Sequence, residues 1–220
     1  IISQVREIEH VQIIRIGSKI PAYNPYRILN DPSLALMLKR YSSAHKKIYL
    51  MTQFNHPNEL THEAVSAIHS LLKSGVLAAN QTPLLRGIND NPHTLSGLFK
   101  KLSFIGVPPY YVFICRPTSG NRHFAVPVEQ AYTIFHQAQM NCSGLAKRAR
   151  LAMSHATGKI EVTGMGQGSI YFRYHRAADD DQIGDFVVCK SNPNAFWFDD
   201  YKEPASVYSL ENPYRCYGPE

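Results

Sequence analysis

Apolar and polar positions alternate along the first 140 residues in segments that predict strands and helices in turn. Residues 48–54 form an apolar run that is typical of a strand. Residues 64–72 carry apolar side chains at helical spacing, after Thr61, whose residue type caps helices, and before Gly75, which ends this one. A second apolar run at 76–79 completes a strand, a helix and a strand. This order predicts a right-handed parallel βαβ unit.

The same alternation continues on both sides of this unit. Further strands are predicted at residues 11–16 and 110–115, and further helices at 1–8, after Asn30 or Asp31, at 93–105 and at 128–140. The nearly continuous apolar run at 11–16 is typical of a buried parallel strand. Four strands that alternate with helices predict an α/β fold, either most of a half-barrel or an open parallel sheet.

The pattern changes after Gly144. Short strands are predicted at 151–154, 159–163, 169–174 and 186–189, joined by glycine-rich turns and followed by an aromatic run at 196–198. The three acids at 179–181 are expected in a solvated turn rather than at a metal. We therefore expect an α/β part over 1–144, with either most of a half-barrel or an open parallel sheet, and a small, mostly antiparallel, β-rich C-terminal appendage over 145–220.

The composition of the chain limits the classes of binding partner that are expected. The chain has 23 basic and 17 acidic residues, a net charge of +6, which suits an anionic partner. The basic residues are scattered, which argues against nucleic acid. No apolar run approaches the ~18 residues of a membrane-spanning helix, so no membrane partner is expected. The four cysteines lie far apart, which argues against a zinc ribbon or a disulfide scaffold and favours a reducing cytoplasm.

Polar side chains follow each predicted strand of the α/β part. They are Arg15 and Ser18, then Gln53, Asn55 and His56, then Asn80, Gln81 and Arg86, and finally Arg116 and Arg122. Ligands of parallel α/β folds bind at the carboxyl ends of the strands, and amides and guanidinium groups suit phosphates, carboxylates and ribose hydroxyls. The alternative is that these residues cap helices and hold loops. For His56 the loop-holding role is favoured over a metal ligand or a general base.

One lysine stands in an unusual setting. Lys159 ends the run HATGK, where small residues leave space for a flat ligand and the amine can attack a carbonyl carbon. The alternative is an exposed lysine in a turn, and the residues alone leave both open.

Taken together, several segments resemble the lysine 2,3-aminomutase family of radical S-adenosylmethionine enzymes. The matching pieces are HVQIIRIGSK, TQFNHPNEL, NQTPLLRGIND and PYYVFICR, followed later by HF, and they agree in letters, order and spacing. The resemblance covers nearly the whole chain and is weakest towards the C-terminus. It implies a partial (β/α)6 radical S-adenosylmethionine barrel, a [4Fe–4S] cluster, S-adenosylmethionine, and pyridoxal phosphate as carrier of a migrating amino group. The implied enzyme is an isomerase that moves the amino group of an amino acid from C2 to C3.

The resemblance also implies roles for particular residues. Lys159, in the C-terminal segment, is the counterpart of the lysine that holds pyridoxal phosphate. Gln53, Asn55 and Gln81 match the region that contacts S-adenosylmethionine in the family. Arg15 and Ser18 are further candidates for the same mouth, by which we mean the carboxyl ends of the predicted parallel strands.

The departures from the family are equally informative. The cluster-binding Cys-x3-Cys-x2-Cys is absent and is expected upstream of Ile1, so this piece alone is expected to be inactive and no metal ligand is assigned in it. Arg116 stands where lysine-specific members carry an aspartate, and no acid lies near Ala152, the place of a second one. A guanidinium repels a lysine ammonium and attracts a carboxylate, so the expected substrate is an acidic amino acid such as glutamate rather than free lysine. Asn91 replaces one zinc-binding cysteine, and Cys216 stands without a partner.

Two other classes of function stay open. A non-catalytic barrel could bind an anionic metabolite through the same mouth, and a nucleic-acid binder would concentrate its basic residues on one face. The partner expected first is a small-molecule amino acid. An oligomer of identical chains is compatible with the sequence.

Overall fold

The computed structural model describes residues 1–202 and 204–209, which fall into two compact units. The first unit contains Ile1–Val112 and Ile134–Ala149, and the second contains Phe113–Thr133 and Arg150–Glu220. Residues 113–133 thus group with the C-terminal strands, whereas the sequence suggested one boundary at residue 144.

The predicted helices and strands occur in the predicted order, and α2, α3 and β9 are present in addition to them. The helices are α1 (Ile2–Glu7), α2 (Ile20–Tyr23), α3 (Tyr26–Leu29), α4 (Pro32–Tyr41), α5 (His62–Lys73), α6 (Pro92–Phe104) and α7 (Val128–Met140). The strands are β1 (Ile13–Ser18), β2 (Lys47–Thr52), β3 (Leu77–Leu84), β4 (Pro109–Ile114), β5 (Arg150–His155), β6 (Gly158–Gly166), β7 (Ser169–Ala177), β8 (Phe186–Lys190) and β9 (Pro204–Tyr208).

The first unit contains the predicted parallel strands. Strand β2 pairs in parallel with β1 and with β3, and the Cα atoms of Ile16, Leu50 and Ala78 lie in register across the three strands. Strand β4 follows β3 in the sheet order. The parallel βαβ unit around α5 is therefore confirmed. Within the described part of the chain β1 has one strand neighbour, β2, so the sheet stays open there and closure into a barrel remains a prediction.

The ends of the helices follow from local chemistry. The Thr61 hydroxyl accepts a hydrogen bond from the Ala64 N–H at 3.2 Å, and the Asp31 carboxylate accepts one from the Leu34 N–H at 3.1 Å. These side chains satisfy N–H groups that have no partner in the first helical turn. Gly75, with φ of +82°, follows the C-cap of α5 in a backbone conformation that few other residues tolerate.

The core of the first unit lies between the sheet and its helices. Ile48 and Leu50 of β2 belong to one cluster with Ala67, Ile68 and further apolar residues of α5. Burying a side chain of this kind stabilises a fold by roughly 1.5–3 kcal/mol, so this one layer holds the sheet against its helices.

Two predicted strands differ from those observed. Strand β1 contains no buried residue, and Ile13 is 56% exposed, because β1 lies at the edge of the described sheet. The strand also runs through Ser18, which was expected to follow it. Strand β3 continues past residue 79 and includes Asn80 and Gln81. These polar residues stay in the strand because the sheet supplies their partners, for example the Pro108 carbonyl for the Asn80 N–H at 3.0 Å.

The second unit is built on antiparallel strands, as predicted. Strands β5 to β9 pair in chain order, each antiparallel to the next. Strand β9 carried no clear signal in the sequence. The aromatic run at 196–198 packs onto this sheet, where the ring of Phe172 lies 5.1 Å from that of Phe198.

Candidate functional site

Side chains on two faces of the first sheet have different roles. Ile16, Leu50 and Ala78 contact the core under the helices, so residues one position away point to the opposite face. By this alternation Arg15 of β1 and Gln81 of β3 lie on the face away from the helices. Arg15 is exposed and Gln81 is half-buried. A ligand that binds to this face of the sheet, called the open face below, can therefore reach both side chains.

Ser18 lies on the face of β1 opposite to that of Arg15. Its Cα is in register with that of Thr52, and it follows Ile16 by two positions, so its side chain points towards the helices. Its hydroxyl accepts a hydrogen bond from the Ile20 N–H at 3.1 Å, at the start of α2. Ser18 serves the turn into that helix.

Gln53 and Asn55 follow β2 in a segment that is held by ionic and polar contacts. Lys19 Nζ donates to the Gln53 carbonyl at 3.2 Å and lies 2.8 Å from the Glu59 carboxylate. The Asn55 Oδ1 atom accepts from the Thr82 hydroxyl at 3.1 Å. Gln53 is half-buried, and its side chain follows the buried Met51 by two positions. The segment after β2 is thus fixed, which a ligand-binding strand end requires.

His56 takes the loop-holding role. Its Nδ1 atom accepts from the Asn58 N–H at 3.1 Å, and the Glu59 carboxylate accepts in return from the His56 N–H at 3.3 Å. Together they form a capping box on the short helix Pro57–Glu59. The interpretation favoured from the sequence is confirmed for this residue.

The second unit contains a cavity of about 1,020 Å³. The charged residues and the histidine of its lining are Arg116 and Arg122 from the segment after β4, His155 from β5, and Asp199 and Asp200 from the short helix Phe198–Asp200. Cys115, Ser154 and Trp197 also line it. Guanidinium groups can bind a phosphate or a carboxylate in two-pronged fashion, and the aromatic wall suits a flat group.

The loop that carries the two arginines is held by an asparagine. The Asn121 side chain accepts from the Thr118 N–H at 3.1 Å and donates to the Arg116 carbonyl at 2.8 Å. The backbone of Arg116 is therefore fixed while its side chain stays exposed in the cavity lining.

Lys159 lies beside this cavity on β6. It pairs with Ser154 of β5, and directly opposed residues of antiparallel strands share a face, so both side chains project from the same side of the sheet. The Lys159 ammonium lies 5.1 Å from the centroid of the Phe113 ring, and the residue is half-buried. The pairing of β6 with β7 shifts between Lys159 and Ile160, and such bulges re-aim side chains beside active sites.

Gly158, which precedes Lys159, was expected to leave space for a flat ligand, but it allows a close approach of β7 instead. Gly158 has φ of +142°, and a Cβ atom on it would lie 2.0 Å from the Arg176 carbonyl oxygen. The space left by the small residue is filled by the backbone of β7 and does not serve a flat ligand. Ala156, two residues earlier, is the small residue that lines the cavity.

A hydrogen-bonded pair of side chains in the cavity lining, His155 and Asp199, was not found from the sequence. His155 Nε2 lies 3.0 Å from the Asp199 carboxylate, and His155 Nδ1 lies 2.8 Å from the Thr157 hydroxyl. The run HATGK contains the histidine and the threonine, but Asp199 lies 44 positions further along the chain and carries no local signal.

The described cysteines are buried thiols. Burial raises the pKa of Cys115, Cys142 and Cys189 above the ordinary value of a cysteine. Across residues 1–202 and 204–209 no group of three histidine, cysteine or acidic side chains is arranged to hold a metal ion. Cys216 lies outside the described residues.

The sequence is similar to curated proteins of two named activities. A protein from Aquifex aeolicus, provisionally named L-lysine 2,3-aminomutase, is 51% identical over 209 residues, which are 94% of this chain and 56% of that protein. The L-lysine 2,3-aminomutase of Clostridium subterminale is 43% identical over 144 residues, 66% of this chain and 33% of that protein. The glutamate 2,3-aminomutase of Clostridioides difficile is 36% identical over 146 residues, 66% of this chain and 33% of that protein.

The chain spans between a third and about half of the length of these relatives. No family model matches its sequence. Among solved structures, a radical SAM methyltransferase from Sphaerobacter thermophilus aligns with 56% of this chain and 38% of its own at 14% identity, with a TM-score of 0.42, which is too slight a likeness to inform the fold. No helix in the described part of the chain is long and apolar enough to cross a membrane.

Proposed function

This chain belongs by its sequence to the lysine 2,3-aminomutase family, and on that premise we propose that it is part of a radical S-adenosylmethionine, pyridoxal phosphate-dependent 2,3-aminomutase. Such an enzyme is an isomerase that moves the amino group of an amino acid from C2 to C3. We further propose a small-molecule amino acid as its partner, and a cytoplasmic location, which the unpaired thiols of the three described cysteines favour.

The observation that carries this proposal is the setting of Lys159. Its amine is half-buried against the Phe113 ring, at a bulge, and on the same face as Ser154, which lines the cavity. Contact with an aromatic ring restricts the ammonium and removes water from one side of it. The donor set of the cavity fits pyridoxal phosphate, since the Arg122 guanidinium suits the phosphate and the Trp197 indole suits the pyridine ring.

We assign the covalent attachment of pyridoxal phosphate to Lys159. When bound, this cofactor supplies the electronic stabilisation of the migrating amino group. The chain's own residues do the remaining work at this end: Lys159 provides the amine, Phe113 orients it, and the aromatic wall excludes water.

On the first unit we assign the S-adenosylmethionine side to Gln53, Asn55, Gln81 and Arg15. Amide side chains offer both donors and acceptors, which suits ribose hydroxyls and the methionine amino and carboxyl groups. Arg15 and Gln81 share the open face of the sheet, which supports their assignment. Ser18, at the carboxyl end of β1, stays a further candidate for this set, and its hydroxyl also accepts from the Ile20 N–H. The ligands of the [4Fe–4S] cluster are assigned to no residue of this chain.

For the substrate we propose an acidic amino acid such as glutamate rather than free lysine. Arg116 is exposed in the cavity lining, so its positive charge is available for a distal carboxylate. The relatives include one enzyme named for lysine and one named for glutamate. Sequence identity averages over all positions, so it does not show which of the two substrates this chain binds.

The test uses the full-length protein with pyridoxal phosphate. Borohydride reduction followed by peptide mass analysis identifies the lysine that carries the cofactor, and the visible absorbance band of the bound cofactor is recorded beside it. We expect labelling of Lys159 in the wild type and none in Lys159→Ala. Lys190→Ala, which removes an exposed lysine of β8, is the matched control and is expected to label like the wild type. Labelling of a different lysine would refute the assignment.

A second candidate is a non-catalytic protein that binds an anionic metabolite. It is favoured by the fixed loop that presents Arg116, because such a loop serves binding without chemistry. This candidate predicts that glutamate or phosphate binds by calorimetry while no lysine takes up pyridoxal phosphate. The same labelling experiment therefore separates the two.

A further inference from the structure

The turn before Lys159 is tied to two other elements of the second unit. Ala156 and Thr157 join β5 to β6, whose last pair is His155 with Gly158. The Thr157 carbonyl accepts from the Ala178 N–H at 2.7 Å, and its hydroxyl lies 2.9 Å from the Tyr174 hydroxyl. A turn this short is normally held by its own strands alone, so these additional bonds fix its position against β7.

The imidazole of His155 completes the connection. Its Nδ1 atom accepts from the Thr157 N–H at 3.1 Å, and its Nε2 atom lies 3.0 Å from the Asp199 carboxylate. A backbone N–H can only donate and a carboxylate can only accept, so the proton of the neutral ring is on Nε2. This pair of partners sets both the tautomer and the plane of the ring.

The ring is also enclosed. The His155 side chain is 8% exposed, and its centroid lies 5.5 Å from the Phe198 ring and 6.2 Å from the Trp197 ring. Both nitrogen atoms are used by protein partners, so His155 has no nitrogen left to exchange a proton with a substrate. Its contribution must come through what it holds.

We propose that His155 is a positioning residue for Lys159, in which the imidazole, oriented by Asp199, fixes the Thr157 N–H and thereby the start of β6. Lys159 is two residues beyond Thr157, and the backbone of β7 lies so close to Gly158 between them that a Cβ atom there would be 2.0 Å from the Arg176 carbonyl oxygen. A turn fixed on one side and crowded on the other transmits its position to the next side chain. The role of His155 in cofactor binding rests on the proposed function, whereas its hold on the turn does not.

Two amide substitutions separate the two bonds of the ring. His155→Asn places an amide oxygen near the position of Nδ1 and keeps an acceptor for the Thr157 N–H. His155→Gln places an amide nitrogen near the position of Nε2 and keeps a donor for Asp199. Both stay polar and of similar volume, so they are safer for folding than His155→Ala. His69→Ala, at an exposed position of α5, is the matched control.

The first readout is hydrogen exchange of the Thr157 amide in the full-length protein without cofactor. We expect His155→Gln to speed this exchange roughly tenfold, as the loss of one hydrogen bond predicts, and His155→Asn and His69→Ala to stay near the wild type. The proposal is overturned if His155→Gln leaves the exchange unchanged, or if His155→Asn is as fast as His155→Gln.

The second readout is the fraction of Lys159 trapped by borohydride at a limiting concentration of pyridoxal phosphate. We expect a several-fold loss in His155→Gln and recovery in His155→Asn, at equal melting temperatures. A loss that follows the melting temperature instead would mean a merely structural role and would overturn the proposal. If the wild type traps no cofactor on Lys159, the proposed function fails, while the exchange experiment still decides whether His155 holds the turn.

Discussion

One side chain amide of Asn80 takes both backbone hydrogen bonds of Phe54. The Asn80 Oδ1 atom accepts from the Phe54 N–H at 2.8 Å, and the Asn80 Nδ2 atom donates to the Phe54 carbonyl at 3.1 Å. Asn80 thus replaces the neighbouring strand that Phe54 lacks beyond the end of β2. Its Oδ1 atom also accepts from the Thr52 hydroxyl at 2.9 Å. A residue at the predicted ligand mouth is therefore committed to the fold.

Replacing this amide is expected to destabilise the first unit. Asn80 is 1% exposed, and Asn80→Asp leaves the Phe54 carbonyl without a donor while it buries a negative charge. We expect a loss of about 2–4 kcal/mol in the free energy of unfolding, measured by urea denaturation. Asn58→Asp, at an exposed position of the short helix after β2, is the control and is expected to change it by less than about 0.5 kcal/mol.

Gly158→Ala is expected to be among the most harmful substitutions of the second unit. The new methyl group would meet the Arg176 carbonyl at 2.0 Å, in a backbone conformation that alanine rarely adopts. We expect at least about 3 kcal/mol of destabilisation, seen as a lower melting temperature. Gly166→Ala is the control for steric crowding, because Gly166 lies in the same strand with open space where a Cβ atom would be. If both variants melt alike, steric crowding at Gly158 is not the cause.

The helices and most strands could be predicted because their signals are local. Caps such as Thr61 and Asp31 act on N–H groups two or three residues away, and apolar spacing marks the buried face of α5 directly. The end of β3 could not be predicted in this way. Asn80 and Gln81 look like loop residues, and they stay in a strand because the neighbouring strand and Phe54 supply their partners.

The candidate site residues also differ in whether a local signal or only the fold reveals them. Lys159 and Arg116 were chosen as candidates because the resemblance implies roles for them, and the structure adds the Phe113 ring near the Lys159 ammonium and the cavity that Arg116 lines. The face of the sheet on which Ser18 lies could not be predicted, because strand alternation decides it and the end of β1 was not known from the sequence. Asp199 could not be found, since only the fold brings it to His155.

The buried thiols are expected to react slowly and to make stability depend on alkaline pH. Burial raises the pKa of Cys115, Cys142 and Cys189, so each is more fully protonated in the folded protein than in the unfolded chain at the same pH. The stabilisation is complete below the pKa of the unfolded thiol, about 8.5, and is lost as the pH rises towards the folded value. We expect slow alkylation by iodoacetamide at pH 7, faster in urea, and a free energy of unfolding that declines above about pH 8.5. Equal alkylation rates in the presence and absence of urea would contradict this.

The charge at Arg116 is expected to set the preference between acidic and basic substrates. Arg116→Asp removes a positive charge from the cavity lining and adds a negative one, so it should repel a distal carboxylate and attract a distal ammonium. In the full-length protein we expect the ratio of kcat/KM for glutamate over lysine to fall by about tenfold or more, since a charge reversal at a binding group costs more than about 1.4 kcal/mol.

Arg148→Asp is the control for this experiment, because it changes the net charge equally at an exposed position outside the cavity lining. We expect it to leave the substrate ratio unchanged. An equal fall in both variants would mean that the overall field of the protein, and not a contact of Arg116, sets the preference. A wild-type protein that turns over lysine faster than glutamate would rule out the acidic substrate itself, because the guanidinium would then stand beside an ammonium that it repels.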